Sequence, residues 1–187
     1  MSRDDADLIA RSVGGDRGAF EELVRRHQDR LFSTVYRLLD SSEDAQDVVQ
    51  ESFLNAYQSL DRFKGDSQFF TWLYRIAVNL AISQKRKRRL VLSADAKRAG
   101  EPLGEPLDDS DESRPGRALE RSEDHRTLQE ALNRLSPDHR AVLILKELEG
   151  QKYEAIAEIM QVPIGTVRSR LHRARLELRD LLTDEQE

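Results

Sequence analysis

Tyr153-Glu154-Ala155-Ile156-Ala157-Glu158-Ile159-Met160, then Gln161-Val162-Pro163, then Ile164-Gly165-Thr166-Val167-Arg168-Ser169-Arg170-Leu171-His172-Arg173-Ala174-Arg175: a short apolar-periodic segment, three residues with a proline, and a longer basic segment. The order predicts a helix, a tight turn and a second helix, the helix-turn-helix arrangement whose second helix enters the DNA major groove. In that second helix Val167, Leu171, Ala174 and Leu178 recur at i, i+4, i+7 and i+11 and form an apolar stripe. Ser169 and Arg173 point roughly opposite, with Arg168 and His172 on the flank between. A reading helix needs this division, one face on its own domain and the other free for base edges. The planar fork of arginine matches guanine O6 and N7 together. Thr166 and Ser169 suit phosphate contacts, aided by backbone N–H groups at the helix start.

Outward from this stretch, Ser136-Pro137 marks a helix start, the serine as cap and the proline at the first helical position. That helix ends at Gly150. Leu128, Leu132 and Leu135 share one face of a segment beginning near Leu119. Between 93 and 118 the periodicity fails. Gly100, Pro102, Gly104, Pro106, Pro115 and Gly116 surround Asp108-Asp109-Ser110-Asp111-Glu112, as expected of a flexible acidic linker.

Before the linker, a short helix is expected over 4–13, ended by Gly14-Gly15, with Asp16 capping the next. Phe20, Leu23, Val24, His27, Leu31, Val35 and Leu38 fall on one face of that second helix. Ser41 with Asp44 resembles a capping box for a third, which carries Ala45, Val48, Val49, Phe53, Ala56, Tyr57 and Leu60 inward. Its outer face aligns Asp47, Gln50, Glu51, Leu54 and Gln58. Acids repel DNA, so this face suits a protein partner, a merely solvated helix face being the alternative.

A fourth helix starts near Phe69 and runs through Lys85-Arg86-Lys87-Arg88-Arg89. Trp72, Leu73, Ile76, Ala77 and Leu80 are its expected core face; Thr71, Arg75, Asn79 and Ile82 lie on the other side. The preceding loop, Phe63-Lys64-Gly65-Asp66-Ser67, supplies an aromatic ring, a sharp bend and polar groups. Aromatic and basic groups together suit unpaired bases, because rings stack on any base and cations follow the backbone. Core packing is the competing reading of the aromatics and is taken for Trp72. The basic run, with Lys85, Arg86, Arg88 and Arg89, is read as a phosphate contact, with a generic basic surface as the alternative.

The bulk numbers fit two small helical domains. The chain has 187 residues, of which 35% are charged, and a mean hydropathy of −0.68. No apolar run approaches the ~18 residues of a membrane span, and the N-terminus lacks the apolar core of a secretory signal, so a cytoplasmic protein is expected. There is no cysteine, which excludes disulfides and thiolate metal sites. The four histidines have no metal-ligand spacing, and no P-loop or dinucleotide fingerprint is present. No metal, no cofactor and no enzymatic activity are therefore expected. The net charge of −5 hides a segregation of basic helices from acidic stretches, which suggests distinct partners for distinct surfaces.

Together these segments resemble the extracytoplasmic-function (group IV) class of the bacterial sigma-70 family. Asp44 to Phe53 is similar to the polymerase-binding helix of sigma region 2, and Phe63 to Ala81 to its promoter-melting and minus-ten segment. Leu135-Ser136-Pro137, Tyr153 to Ala157 and Gly165 to Arg175 are similar to region 4. Ser83 departs from the acidic residue many members carry after Asn-Leu-Ala. The resemblance implies an all-α chain with region 2 over 1–92, a linker over 93–118 and region 4 over 119–187. It implies a partner core RNA polymerase, bound through Asp44, Asp47, Gln50, Glu51 and Leu54. It implies promoter DNA read as duplex by Thr166, Arg168, Ser169, Arg170, His172 and Arg173. The same DNA is then taken as a single strand by Phe63, Lys64, Gly65, Asp66, Ser67, Thr71, Arg75 and Asn79. An anti-sigma protein is implied as a further partner. The competing expectation is a stand-alone LuxR-like regulator, which would account for the C-terminal motif but not for Phe63–Asn79 or the acidic face.

Overall fold

The computed structural model describes residues 3–99 and 119–184, and among them only helices and turns, with no strand. Eight α-helices follow in order: α1 (Arg3–Val13), α2 (Arg17–Leu39), α3 (Ser42–Gln58), α4 (Phe69–Ala99), α5 (Leu119–Arg134), α6 (Pro137–Leu143), α7 (Tyr153–Met160) and α8 (Ile164–Asp184). Side chains are described for 4–88, 90 and 126–183.

The helix boundaries have local causes. Asp16 caps α2 by accepting from the Ala19 amide at 3.2 Å. Asp40 ends that helix in the left-handed region at φ 61°, its amide donating to Tyr36 O. Ser41 and Ser136 cap α3 and α6 in the same way, through the amides of Asp44 and His139. Each cap supplies an acceptor to an amide that the helix itself cannot satisfy. The turn between α7 and α8 uses Gln161 at φ 54°, and Pro163 O accepts from the amides of Thr166 and Val167.

Two helices depart in extent or winding from the sequence expectation. The α4 helix continues past residue 93 to Ala99, because Ser93 to Ala99 holds no glycine or proline and a formed helix propagates cheaply through alanine, lysine and arginine. Residues 100–118, the rest of the expected linker, lie outside the described residues. Second, α6 widens into a π-helical turn over Ile144–Leu148, where the Glu149 amide donates to Ile144 O at 3.0 Å. Such turns break the 3.6-residue register on which sequence periodicity depends.

The first four helices pack around Leu23, Leu31, Val35, Ala45 and Leu73; α5 to α8 pack around Leu135, Leu145, Ile156, Ile159 and Leu171. The two halves also meet. The α4 helix lies between α2 and α3 on one side and α6 and α7 on the other. It is therefore buried nearly all round through its first half, including Tyr74, Val78, Ala81 and Ile82. Ile82, expected on the outer face, is thus a core residue, because the C-terminal half covers that face. Tyr57, expected inward, is 43% exposed. Its ring still packs edge-to-face with Phe20, the centroids 4.9 Å apart. Leu60 is buried as expected, but from a 3-10 turn after α3 has ended.

Candidate nucleic-acid interface

On α8, the expected stripe is the packed face: Val167, Leu171 and Ala174 are fully buried, and Leu178 is partly so. Arg168, Ser169, His172 and Arg173 are exposed. None of Arg168, His172 and Arg173 makes an ion pair or side-chain hydrogen bond among the described residues, so their donors are available to a ligand. Ser169 Oγ donates to Thr166 O at 3.0 Å, which turns that hydroxyl along the helix. Arg170 stands apart: it is half-buried and its guanidinium lies 2.9 Å from Asp138. The free face of α8 is therefore Arg168, Ser169, His172 and Arg173, with Thr166 at its edge.

A second concave site, of about 270 Å³, opens beside the start of α4. Phe63, Lys64, Gly65, Asp66, Ser67 and Arg75 line it, all expected from the sequence. Gly65 takes φ 77°, a conformation that disfavours side chains, and so sets the bend of the loop. Phe63 packs edge-on against Phe69 and tilts on Trp72 at 5.2 Å. Trp72 is buried yet contributes to the lining, as do Arg62 and Glu158, which sequence spacing did not single out. Glu158 could not be found that way because it belongs to α7, in the other half. Thr71 and Asn79 are not in the lining. Asn79, one turn beyond Arg75, donates to Ile159 O at 3.4 Å.

The basic run divides. Arg86 reaches Asp138 at 2.5 Å and Arg88 reaches Asp44 at 3.2 Å; the side chain of Arg89 lies outside the described residues. Lys85 turns inward. Its ammonium donates to Asn133 Oδ1 at 3.0 Å and to Leu39 O, and burial, helped by neighbouring Arg140, pulls it down to about 7. Its expected role as a phosphate contact is not what the structure gives it, since desolvated lysine is held by protein oxygens. Arg140 shares that pocket, fully buried, donating to Arg37 O at 2.7 Å and to Asn133, with burial drawing it down to about 10. Asp40 completes the cluster, accepting from Gln129 and Asn133.

The outer face of α3 is as expected. Asp47, Gln50, Glu51 and Leu54 are exposed, Leu54 at 55%, and the three polar side chains have no ion pair or hydrogen bond among the described residues. Asp44 differs, being half-covered and accepting from Gln84 and Arg88. An exposed leucine within free acids is a surface that burial against a protein would stabilise.

Of the histidines, His27 stacks on Phe70 and tilts on Phe69 beside Asp5, and burial lowers its pKa. His139 pairs with Glu177 at 2.7 Å. Among the described residues no group of side chains has the makings of a metal site, and no helix is long and apolar enough to cross a membrane.

Known proteins share this arrangement. A family model of sigma-70 region 2 matches residues 9–91, and one of sigma-70 region 4 matches residues 125–178. The RNA polymerase sigma-H factor of Pseudomonas aeruginosa is 41% identical over 173 residues, covering 91% of this chain and 90% of its own. The ECF RNA polymerase sigma-E factor of Haemophilus influenzae is 42% identical over 177 residues, covering 91% of each. Among solved structures, CnrH in complex with the cytosolic domain of CnrY is similar with a TM-score of 0.67 and 26% identity, over 97% of this chain and 98% of that one. The sigma factor RpoE in complex with the anti-sigma factor NepR from Bartonella quintana gives 0.65 and 28%, over 88% and 96%. With both region signatures in order and relatives alike along nearly the whole length, the chain belongs to the extracytoplasmic-function class of the sigma-70 family.

Proposed function

We propose that this protein binds core RNA polymerase and selects its promoters by reading DNA twice, as duplex with one end and as single strand with the other. The observation that carries this is the pairing of two unlike surfaces on one chain: a free arginine- and histidine-bearing face on α8, and an aromatic-walled pocket of about 270 Å³ beside α4.

On duplex, Arg168 and Arg173 present bidentate donors to guanine in the major groove, with Thr166, Ser169 and the start of α8 on phosphate; their exposure on α8 supports this reading. A base edge is hidden in duplex and becomes readable only when the nucleotide leaves the stack. The pocket built from Phe63, Lys64, Gly65, Asp66, Ser67 and Arg75 suits such a base, with a ring wall and polar groups around it. Thr71 and Asn79 extend the same side of α4 for the following backbone, and Arg86, Arg88 and Arg89 follow phosphates. The free acidic face of α3, with Asp47, Gln50, Glu51 and Leu54, meets the polymerase, and Asp44 borders it. The residues 1–92 and 119–187 form the two working units, joined by the acidic segment between.

The chain supplies recognition and strand capture; bond formation is the polymerase's, in the cytoplasm where transcription takes place. The solved relative bound to an anti-sigma factor supports a regulator of that kind here. Run-off transcription with purified bacterial core polymerase on a promoter library tests the reading. Transcripts that need the protein and share two spaced upstream motifs are the expected result. Absence of both transcripts and a stable complex with core on gel filtration would favour the stand-alone LuxR-like regulator.

A further inference from the structure

The cavity beside α4 is lined by three cations, Arg62, Lys64 and Arg75, and by two acids, Asp66 and Glu158. None of the three cations makes an ion pair or side-chain hydrogen bond among the described residues. By contrast, exposed Arg11, Arg25 and Arg175 are held by Asp16 at 2.7 Å, Glu22 at 2.5 Å and Glu147 at 2.6 Å. Three cations against two acids leave the lining positive, and a concave positive surface attracts an anion.

Arg62 is the cation that sequence spacing left out. It ends a 3-10 turn, Leu60–Arg62, directly after α3. The turn is fixed on both sides. The Arg62 amide donates to Ser59 O at 3.0 Å, the Phe63 amide donates to Leu60 O at 3.1 Å, and Leu60 is buried in the core. Lys64 instead stems from the loop that bends at Gly65. Arg62 therefore carries an exposed guanidinium on a rigid base.

Depth separates the three cations. Arg75 is half-buried on α4, one turn from buried Trp72, and the ring of Phe63 lies 5.2 Å from that tryptophan. Arg62 and Lys64 are exposed. A nucleotide with its base against the rings turns its sugar and phosphate outward, toward the exposed cations. Of these two, arginine has the planar fork that gives one phosphate two parallel donors.

We propose that Arg62 is a further DNA-binding residue, a clamp on the phosphodiester that joins the captured nucleotide to its neighbour, acting on strand charge and not on base identity. This rests on the reading of the cavity as a base pocket.

The test uses the full chain assembled with purified bacterial core polymerase. The probe is a short fluorescein-labelled single-stranded DNA pool of random sequence, followed by anisotropy, with core alone as the baseline. Arg62→Gln is expected to weaken binding roughly fivefold at low salt, the upper end for one exposed ion pair. It should also flatten the plot of log affinity against log salt concentration by about 0.7, the share of one phosphate on a single strand. Arg62→Lys keeps the charge and restores the slope, with an affinity between the two. Sequencing of the bound pool should show the same base preferences in wild type and Arg62→Gln. Circular dichroism and affinity for core report intact folding. An unchanged salt slope in Arg62→Gln overturns the phosphate contact. Altered base preference assigns Arg62 to a base edge and overturns the clamp equally. Phe63→Leu keeps the apolar packing and removes the ring, which separates the two ideas. Weaker binding in Phe63→Leu beside unchanged binding in Arg62→Gln leaves the pocket standing and refutes the clamp alone. Wild-type binding no better than core alone, or no change in either variant, condemns the pocket itself.

Discussion

At the scale of single residues, the side chains of α8 divide by whether they have protein partners. Arg173 is exposed and unpaired among the described residues, whereas Arg170 is held by Asp138. Arg173→Ala is therefore expected to cost about 1–3 kcal/mol at one base pair of the duplex element and to relax specificity there. Binding of single-base-pair variants of that element checks it; a uniform loss across all variants would assign Arg173 to phosphate. Lys85 gives a pH prediction. Its folded pKa of about 7 lies below its ordinary 10.5, so between these values the unfolded chain binds a proton that the folded chain does not. Stability then rises with pH across that window, is fully present above it, and is lost as pH falls toward 7. Thermal melts of the wild type from pH 7 to 9 should climb relative to Lys85→Met, in which this slope is absent. The lowered His27 titrates below the window and does not contribute.

At the scale of elements, the helix starts follow from local chemistry. Asp16, Ser41 and Ser136 are recognisable as caps in the sequence, and each accepts the expected amide. Ser136→Ala is expected to destabilise the fold by about 0.5–2 kcal/mol, with Ser136→Asp retaining most of the stability, as read by urea unfolding. The apolar stripe of α8 was legible for the same reason: Val167, Leu171 and Ala174 repeat at the period of the helix that buries them. The widening at Ile144–Leu148 was not, because an i to i+5 bond has no composition or period of its own. Nor was the full burial of α4. Amphipathic reasoning assumes one packed face, and Val78 and Ile82 acquire theirs from α6 and α7, helices distant in sequence.

At the scale of the whole molecule, charge is sorted by surface. The outer face of α3 keeps its acids free, whereas Asp44, Asp138 and Glu149 are consumed in pairing with arginines. Asp47→Ala should weaken binding to core polymerase while leaving duplex recognition by α8 intact. Titration of labelled protein with core, beside duplex binding of the protein alone, checks this; altered promoter choice with unchanged core affinity would reassign the face.

The helical class, the order of the two candidate nucleic-acid signatures, the caps and the polar faces of α3 and α8 are legible in the residues alone. These depend on residues within one or two turns of each other, where spacing dictates geometry. Folding alone turned Lys85 inward, set Glu158 in the lining of the cavity beside α4, and joined Glu149 to Thr34, Tyr74, Arg30 and Arg37. Those contacts pair groups from opposite halves of the chain, and their strength comes from exclusion of water at a packed boundary. No local pattern encodes such a boundary, because each partner taken alone reads as an ordinary charged or polar residue of a helix or a turn.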